Sequence, residues 1–459
     1  MLAQSLLQVA AVLAAAGAVG WGAAAALVAP GARAERLAWG FAAGLTLTAL
    51  SVPLAFALRI RPGWLPFLIL AALAVLPARV LRLRGRANAD PVAPIDRVTA
   101  LLGLVVVAGV ALYFLRALTE PMWANDYVAI WGLKGKTIFA EGRVPERLFL
   151  WKALSFSHPE YPLGIPFLNA GIASLLGRWD DHAMALLFPL VQVATLLALS
   201  GWLRRRGATR PLALGAAALL SNFEPLYRGF TTGMAEVPLS FALLLFGTSL
   251  CDRVDRTDPG ASRRLVLASL ACAGAKNEGL FFVAAGLVVA AVSGLFHRRG
   301  FARVAAFIAL PAALVAAAHR LLRGHLPLSD FDFSLLRRPS EVVDRIGQTF
   351  GAVARGTPPL ALLGLLLLAV LIAAGRRSPA GTLLLALAGC TFAAYLFLPA
   401  LAVAGAAWLV ETAFFRTTAA LAPVVAAAVA VRLVPVFGKK SGQTDLTGAS
   451  DESDRPDVK

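Results

Sequence analysis

The chain has 459 residues, of which 59% are hydrophobic and 15% charged, with a formal net charge of +17. Soluble domains are about half apolar, and the mean hydropathy here is +0.74, so composition excludes an ordinary soluble protein and implies an all-α polytopic membrane protein. The basic excess lies mostly in short arginine-rich connections between apolar runs, the pattern of cytoplasmic loops, and no basic-aromatic module accompanies it, so no nucleic-acid partner is expected.

Leu2 to Val28 lacks a basic start and a cleavage pattern, and reads as a first span rather than a signal peptide. Apolar runs predict spans at roughly 5–29, 37–58, 64–79, 98–116, 181–203, 211–223, 237–251, 265–275, 279–296, 304–322, 358–375, 380–400 and 417–435. That is about 11–13 transmembrane helices. Residues 1–97 form an N-terminal set of membrane helices, 98–435 a catalytic membrane domain, and 436–459 a polar, Gly/Ser-rich tail expected to be disordered and cytoplasmic.

Arginine clusters separate many of these runs, and parity then sorts the connections. Between Arg97 and Arg204 lie three apolar stretches, so one of them does not cross. The weakest is 163–177, which as a helix reaches only about 22 Å against about 30 Å of hydrocarbon. It reads as a helix lying along or dipping into the outer interface, which places loop 117–180 outside the cytoplasm. The same parity folds 265–296 into a hairpin with its outer turn at Lys276-Asn277-Glu278-Gly279. It puts outer turns near 222–236 and 411–416, and an outer loop at 323–357. The first three spans then require a non-cytoplasmic N-terminus, with Arg59 and Arg61 outside.

Charges away from the cytoplasm therefore collect on one face: Asp126, Glu160, Arg228, Glu236, Lys276, Glu278, Glu411 and Arg416. Charge at such depth is costly and usually functional. Asp126, in WAND, either accepts a proton from an incoming hydroxyl or, with Asn125, caps the short amphipathic helix expected over 127–140. The stiff turn His158-Pro159-Glu160-Tyr161-Pro162 offers groups for a sugar hydroxyl, a phosphate or a metal, or is simply a rigid interfacial turn. Glu236 opens a span, as a second acid in the plane of Asp126, as a helix-dipole charge, or paired with Arg228. Lys276 is a compact point charge suited to a lipid-linked phosphate, or a partner for Glu278 or a headgroup. Arg416 is a second phosphate candidate, or snorkels to the interface. The acids and Arg345 of loop 323–357 make either a lid or a solvated loop. Cys251, Cys272 and Cys390 have no metal or disulfide spacing and read as small buried apolar residues.

WANDYVAIWGLKGKTIFAEG, HPEYPLGIP, GMAEVPLSFALL, AKNEG and FFRTTAALAP come in that order between about 120 and 435. This layout resembles the GT-C superfamily of membrane glycosyltransferases, near the bacterial dolichyl-phosphate-mannose–protein mannosyltransferase and aminoarabinose transferase type. The resemblance implies a polyprenyl-phosphate-linked sugar donor, a glycan, lipid or protein acceptor, and transfer with inversion on the non-cytoplasmic face of the inner (plasma) membrane. It assigns Asp126 as catalytic base, Glu236 as second acid and Lys276 as donor-phosphate contact; Arg416, Arg228, His158, Glu160, Tyr161 and Glu278 are read from the sequence itself as substrate- or phosphate-binding candidates. Asn125-Asp126 stands where many relatives carry Asp-Glu, and His158-Pro159-Glu160 where His-Pro-Pro is usual. No cofactor is firmly implied, and a divalent metal stays open. A polytopic transporter or lipid-linked-sugar flippase, with midplane charges and repeated halves, is the second reading, and a non-catalytic scaffold the third.

Overall fold

The computed structural model describes residues 2–28, 33–80, 95–120, 122–150, 152–227, 231–255, 258, 260–293, 301–323, 331–357, 372–373 and 378–437. The helices run in the order α1 (Leu2–Ala23), α2 (Arg33–Ala57), α3 (Trp64–Val80) and α4 (Arg97–Thr119), then α5 (Gly132–Glu141), α6 (Arg147–Leu150), α7 (Gly164–Leu176) and α8 (Asp181–Met184). α9 (Leu187–Arg205), α10 (Arg210–Ser221), α11 (Glu236–Val254), α12 (Ala261–Ala275), α13 (Asn277–Val292) and α14 (Phe301–Arg323) follow. The chain continues through α15 (Pro339–Gly356), α16 (Pro379–Phe397), α17 (Ala406–Leu409), α18 (Phe415–Ala419) and α19 (Ala422–Phe437). Among the described residues there is no strand, only one isolated antiparallel bridge between Phe331 and Ala402.

Among the described residues, seven helices are long and apolar enough to cross a membrane, or eight if the bent pair 406–419 and 422–436 is counted as one span. Four shorter apolar helices accompany them, 64–79, 164–176, 210–221 and 277–292. Leu101, Leu104, Val107 and Leu115 of α4, and Leu310 and Leu314 of α14, are more than half exposed. Leucines in such rows are stable only against hydrocarbon. The protein is an all-α polytopic membrane protein.

α11 is the axis that separates two charged ends. It is buried along nearly its whole length. Its first residue, Glu236, and its seventeenth, Asp252, are about 24 Å apart at 1.5 Å per residue, close to the thickness of the hydrocarbon layer. Around Asp252 gather Arg205, Arg206 and Arg264, at 2.6, 2.7 and 2.6 Å. Arg205 also pairs with Glu35 at 2.7 Å, and Arg264 with Asp258 at 2.7 Å. Arg264 Nη1 further donates to the Leu27 carbonyl at 3.0 Å. This one network ties the start of α2 and the end of α1 to α9, α11 and α12. Breaking one arm leaves buried guanidinium donors short of an acceptor. Glu35→Gln is expected to lower stability by about 1.5–3 kcal/mol, the worth of a charged hydrogen bond, read as a fall in unfolding midpoint in detergent.

The N-terminal helices follow from the same network. Leu27 and Glu35 lie at the arginine end, so the start of α1 and the end of α2 lie at the other. Arg178, from the loop after α7, accordingly donates to Ser5 Oγ at 2.6 Å and Gln8 Oε1 at 2.8 Å.

Several elements differ from their sequence expectation. The 163–177 stretch forms the expected short helix, α7, and packing on α2 and α5 buries most of its side chains. Its small residues allow this: a Cβ on Gly171 would lie 2.5 Å from the Thr48 carbonyl oxygen. α12 starts at Ala261, earlier than hydropathy suggests, because Arg264 is neutralised inside the helix by Asp252 and Asp258. The expected turn at 411–416 is instead a helical arm, 406–419, bent by 44° from α19. Loop 323–357 contains α15, which packs on 398–401 and 406–414 through Val342, Thr349 and Ala352. Cys251 and Cys272 are buried as expected, but Cys390 is exposed on α16. The expected span 358–375, apart from 372–373, and the tail from 438 onward lie outside the described residues.

Candidate functional site

At the end of α11 opposite the arginine network, four segments distant along the chain meet. Arg416 Nη2 binds Asp126 Oδ2 at 2.8 Å. Its Nε lies 2.9 Å from Glu236 Oε1, a charge contact in which the N–H is not aimed at the oxygen. Lys276 Nζ donates to the same Glu236 oxygen at 3.0 Å and pairs with Glu278 at 2.8 Å. The result is an alternating chain, Asp126–Arg416–Glu236–Lys276–Glu278, with three acids and two bases. Glu236, at 1% exposure, and Lys276, at 2%, are sealed within the protein; Asp126 and Arg416, at 20% and 18%, reach open space.

Local sequence explains each placement. Lys276 is extended, at φ −162° and ψ 159°, and is the single break between α12 and α13. The hairpin closes tightly there because residue 279 is glycine: a Cβ would sit 1.9 Å from the Cys272 carbonyl oxygen. Glu236 is the first residue of α11, where the helix dipole favours an anion. Gly233, at φ +94°, turns the chain into α11 and lies against Tyr127, where a Cβ would be 2.7 Å from the ring. Asp126 makes no capping bond; its backbone is already helical at φ −65° and its carboxylate goes to Arg416. After it, Tyr127–Trp131 form one π-helical turn, and Val410–Phe414, just before Arg416, form another. Such turns often mark functional sites because they re-aim neighbouring side chains.

These residues stand on the wall of a cavity of about 970 Å³. Its lining includes Asp126, His158, Tyr161, Glu411 and Arg416, with Trp123, Phe156, Trp408 and Phe415 at its apolar parts. The volume lies in the range of small-molecule sites. Glu236, Lys276 and Glu278 do not line it; they form the layer behind.

The HPEYP turn makes the opposite wall. His158 Nδ1 and Glu160 Oε1 are 2.9 Å apart. The His158 ring stacks on Tyr161 at 4.9 Å, and Tyr161 stacks in turn on Trp131 at 5.4 Å. Lys276 Nζ lies 5.8 Å from the Tyr161 ring, so the two halves of the site touch. Lys134 of α5 is wholly buried and donates to the His158 carbonyl at 2.6 Å. Burial pushes its amine down to about 7, an effect the Glu160 carboxylate partly offsets. Tyr127 donates to Asp181, and burial followed by that carboxylate pushes its phenol well up. Trp179 Nε1 donates to the same carboxylate at 2.7 Å, fixing the base of the cap.

Of the residues singled out in the sequence, Asp126, Glu236, Lys276, Glu278, Arg416, His158, Glu160 and Tyr161 come together here. Arg228 lies outside the described residues, so an Arg228–Glu236 pair is not described, and Glu236 is held by Lys276 and Arg416. Arg416 does not snorkel to lipid. The π-helical turns and the clasp of Lys134 on His158 carry no sequence signal beyond a lysine in an apolar neighbourhood. No group of three or more His, Cys, Asp or Glu with metal-binding geometry occurs among the described residues. No protein-family model, curated protein or solved structure matches this chain.

Proposed function

We propose that the protein is a glycosyltransferase that moves a sugar from a polyprenyl-phosphate donor to an acceptor hydroxyl or amine in this cavity. The observation that carries the reading is the Asp126–Arg416–Glu236–Lys276–Glu278 chain at one membrane-level end of the bundle, ending on a cavity with aromatic walls. It supports the reading because the cavity needs a cation for phosphate beside an acid for the acceptor, and Arg416 and Asp126 supply both side by side. The arginine network at the other end of α11 supports, by the positive-inside rule, a non-cytoplasmic position for the cavity.

Arg416 binds the bridging phosphate and stabilises the charge that grows on it as the sugar–oxygen bond breaks. Asp126 accepts a hydrogen bond from the acceptor and aims it at the anomeric carbon, in line with the departing phosphate. Glu236, Lys276 and Glu278 hold the Arg416 guanidinium in place from behind. Lys276 thus acts through Glu236, whereas the resemblance would have it touch phosphate. Glu411 and Trp408 flank the acceptor side, on the arm before Arg416. Charges gathered at one end rather than at the midplane favour group transfer over transport.

The test is consumption of synthetic farnesyl-phosphoryl mannose and glucose by purified protein in detergent, where transport has no meaning. Release of farnesyl phosphate supports the reading; an inert wild-type protein that is folded sinks it. Asp126→Asn keeps the shape and loses the charge, and is expected to lower kcat by about 10²-fold through misaligned attack. An unchanged kcat would remove Asp126 from the reaction.

A further inference from the structure

We propose that His158 is the catalytic base of this transfer, with Glu160 and Lys134 as its positioning residues, an inference that rests on the sugar-transfer reading above. His158 is one of two non-glycine residues with positive φ among the described residues, at +51°. Such a backbone is costly and persists only where its surroundings hold it. Lys134 does so, through the 2.6 Å bond to the His158 carbonyl. Pro159 has its own φ locked by its ring and restricts the residue before it, His158, and Tyr161, itself backed by Trp131, fixes the plane of the ring. The imidazole is therefore over-determined at a point on the cavity wall, the sign of a group whose orientation matters.

Its chemistry follows from Glu160. A carboxylate 2.9 Å from Nδ1 accepts a hydrogen bond from the proton on that nitrogen, which leaves Nε2 as the basic one. Glu160 does not line the cavity and sits behind the ring, in the place of the third member of a nucleophile–base–orienter set. Asp126, by contrast, already shares its carboxylate with Arg416. Among the described residues, the charged and titratable groups near the ring include Lys134 from α5, Glu160 and Tyr161 from its own turn, Asp126, Glu411 and Arg416 on the cavity wall, and Lys276 beyond Tyr161.

In the step, the acceptor oxygen forms a bond to the anomeric carbon while the bond from that carbon to the phosphate oxygen breaks. The electron pair leaves with the phosphate, which gains one negative charge beside Arg416. The acceptor proton passes to His158 Nε2, and the imidazolium is balanced by Glu160. Release of that proton to water or to the departing phosphate resets the ring.

Two measurements on the full chain in lipid nanodiscs test this. The first is histidine-selective ¹⁵N NMR, with His158→Gln assigning the resonance among five histidines. The expected neutral form carries its proton on Nδ1, and Glu160→Gln should lower the ring's titration midpoint by about one unit or more. A proton on Nε2, or a midpoint indifferent to Glu160, overturns the base. The second is turnover of farnesyl-phosphoryl mannose against pH. His158→Gln should cut kcat by about 10²-fold or more with little change in KM and should erase the acid limb of the profile. Lys134→Met should lose about tenfold, and Lys134→Arg, which keeps a donor to the His158 carbonyl, should recover most of it. Wild-type turnover with an acid limb that survives His158→Gln overturns the base alone. No wild-type turnover, with the NMR signature intact, overturns the sugar-transfer reading and the base with it.

Discussion

Replacing Arg416 with glutamine is expected to cut turnover of a polyprenyl-phosphate sugar by about 10²–10³-fold, the usual worth of a group that stabilises transition-state charge. Among the described residues that line the cavity, Arg416 is the arginine, and no lysine lines it. Its guanidinium already spans two acids, reaching Asp126 through Nη2 and Glu236 through Nε. It also lies 3.7 Å from the soft Met234 sulfur through Nη1. A planar fork can hold two carboxylates and still turn an edge to phosphate; a point charge cannot. Arg416→Lys should therefore stay folded yet lose most of the activity. The measurement is kcat/KM for farnesyl-phosphoryl mannose alongside the unfolding midpoint in the same detergent. A lysine variant with wild-type turnover would move phosphate recognition elsewhere in the cavity.

The all-α, multi-span fold was readable because apolar runs of fixed length are a long-range regularity, and the arginines between them supplied the parity. Parity from those arginines placed Asp126, Glu236, Lys276 and Arg416 at one level before any contact was known, and their ion pairs need that level. What the sequence could not give was depth. Hydropathy cannot tell that Lys276 is sealed behind Glu236 while Arg416 reaches the cavity, since both are single cations at helix breaks. It also read 411–416, within the 406–419 arm, as a turn, because Glu411, Thr412 and Arg416 interrupt the apolar run. In the fold that polar stripe faces the cavity while Ala406, Val410 and Phe414 are buried behind it. The short helix expected over 163–177 is present as α7, but its packing was not legible: its glycines admit α2 and α12 at backbone distance, with a Cβ on Gly164 only 2.2 Å from the Gly274 carbonyl oxygen.

Lys276→Met should destabilise the fold by about 3–5 kcal/mol, because it leaves Glu236 and Glu278 charged and buried with one fewer counter-charge. The companion Glu236→Gln, made alone, leaves Lys276 with Glu278 and Arg416 with Asp126, so its cost should be smaller. In the double variant the two losses should not add; a coupling of about 1–3 kcal/mol is expected for groups in direct contact. Unfolding free energies in mixed micelles close this cycle, and a Lys276→Met protein as stable as wild type would refute the buried chain. The same four proteins also separate two roles for the lysine. If Lys276 touches the donor phosphate, as the resemblance implies, every variant lacking it is inactive, and adding Glu236→Gln rescues nothing. If it acts only through Glu236, relieving the stranded acid restores both stability and a measurable part of the turnover, because Arg416 and Asp126 remain in place. Its exposure of only 2% and its absence from the cavity wall favour the second outcome.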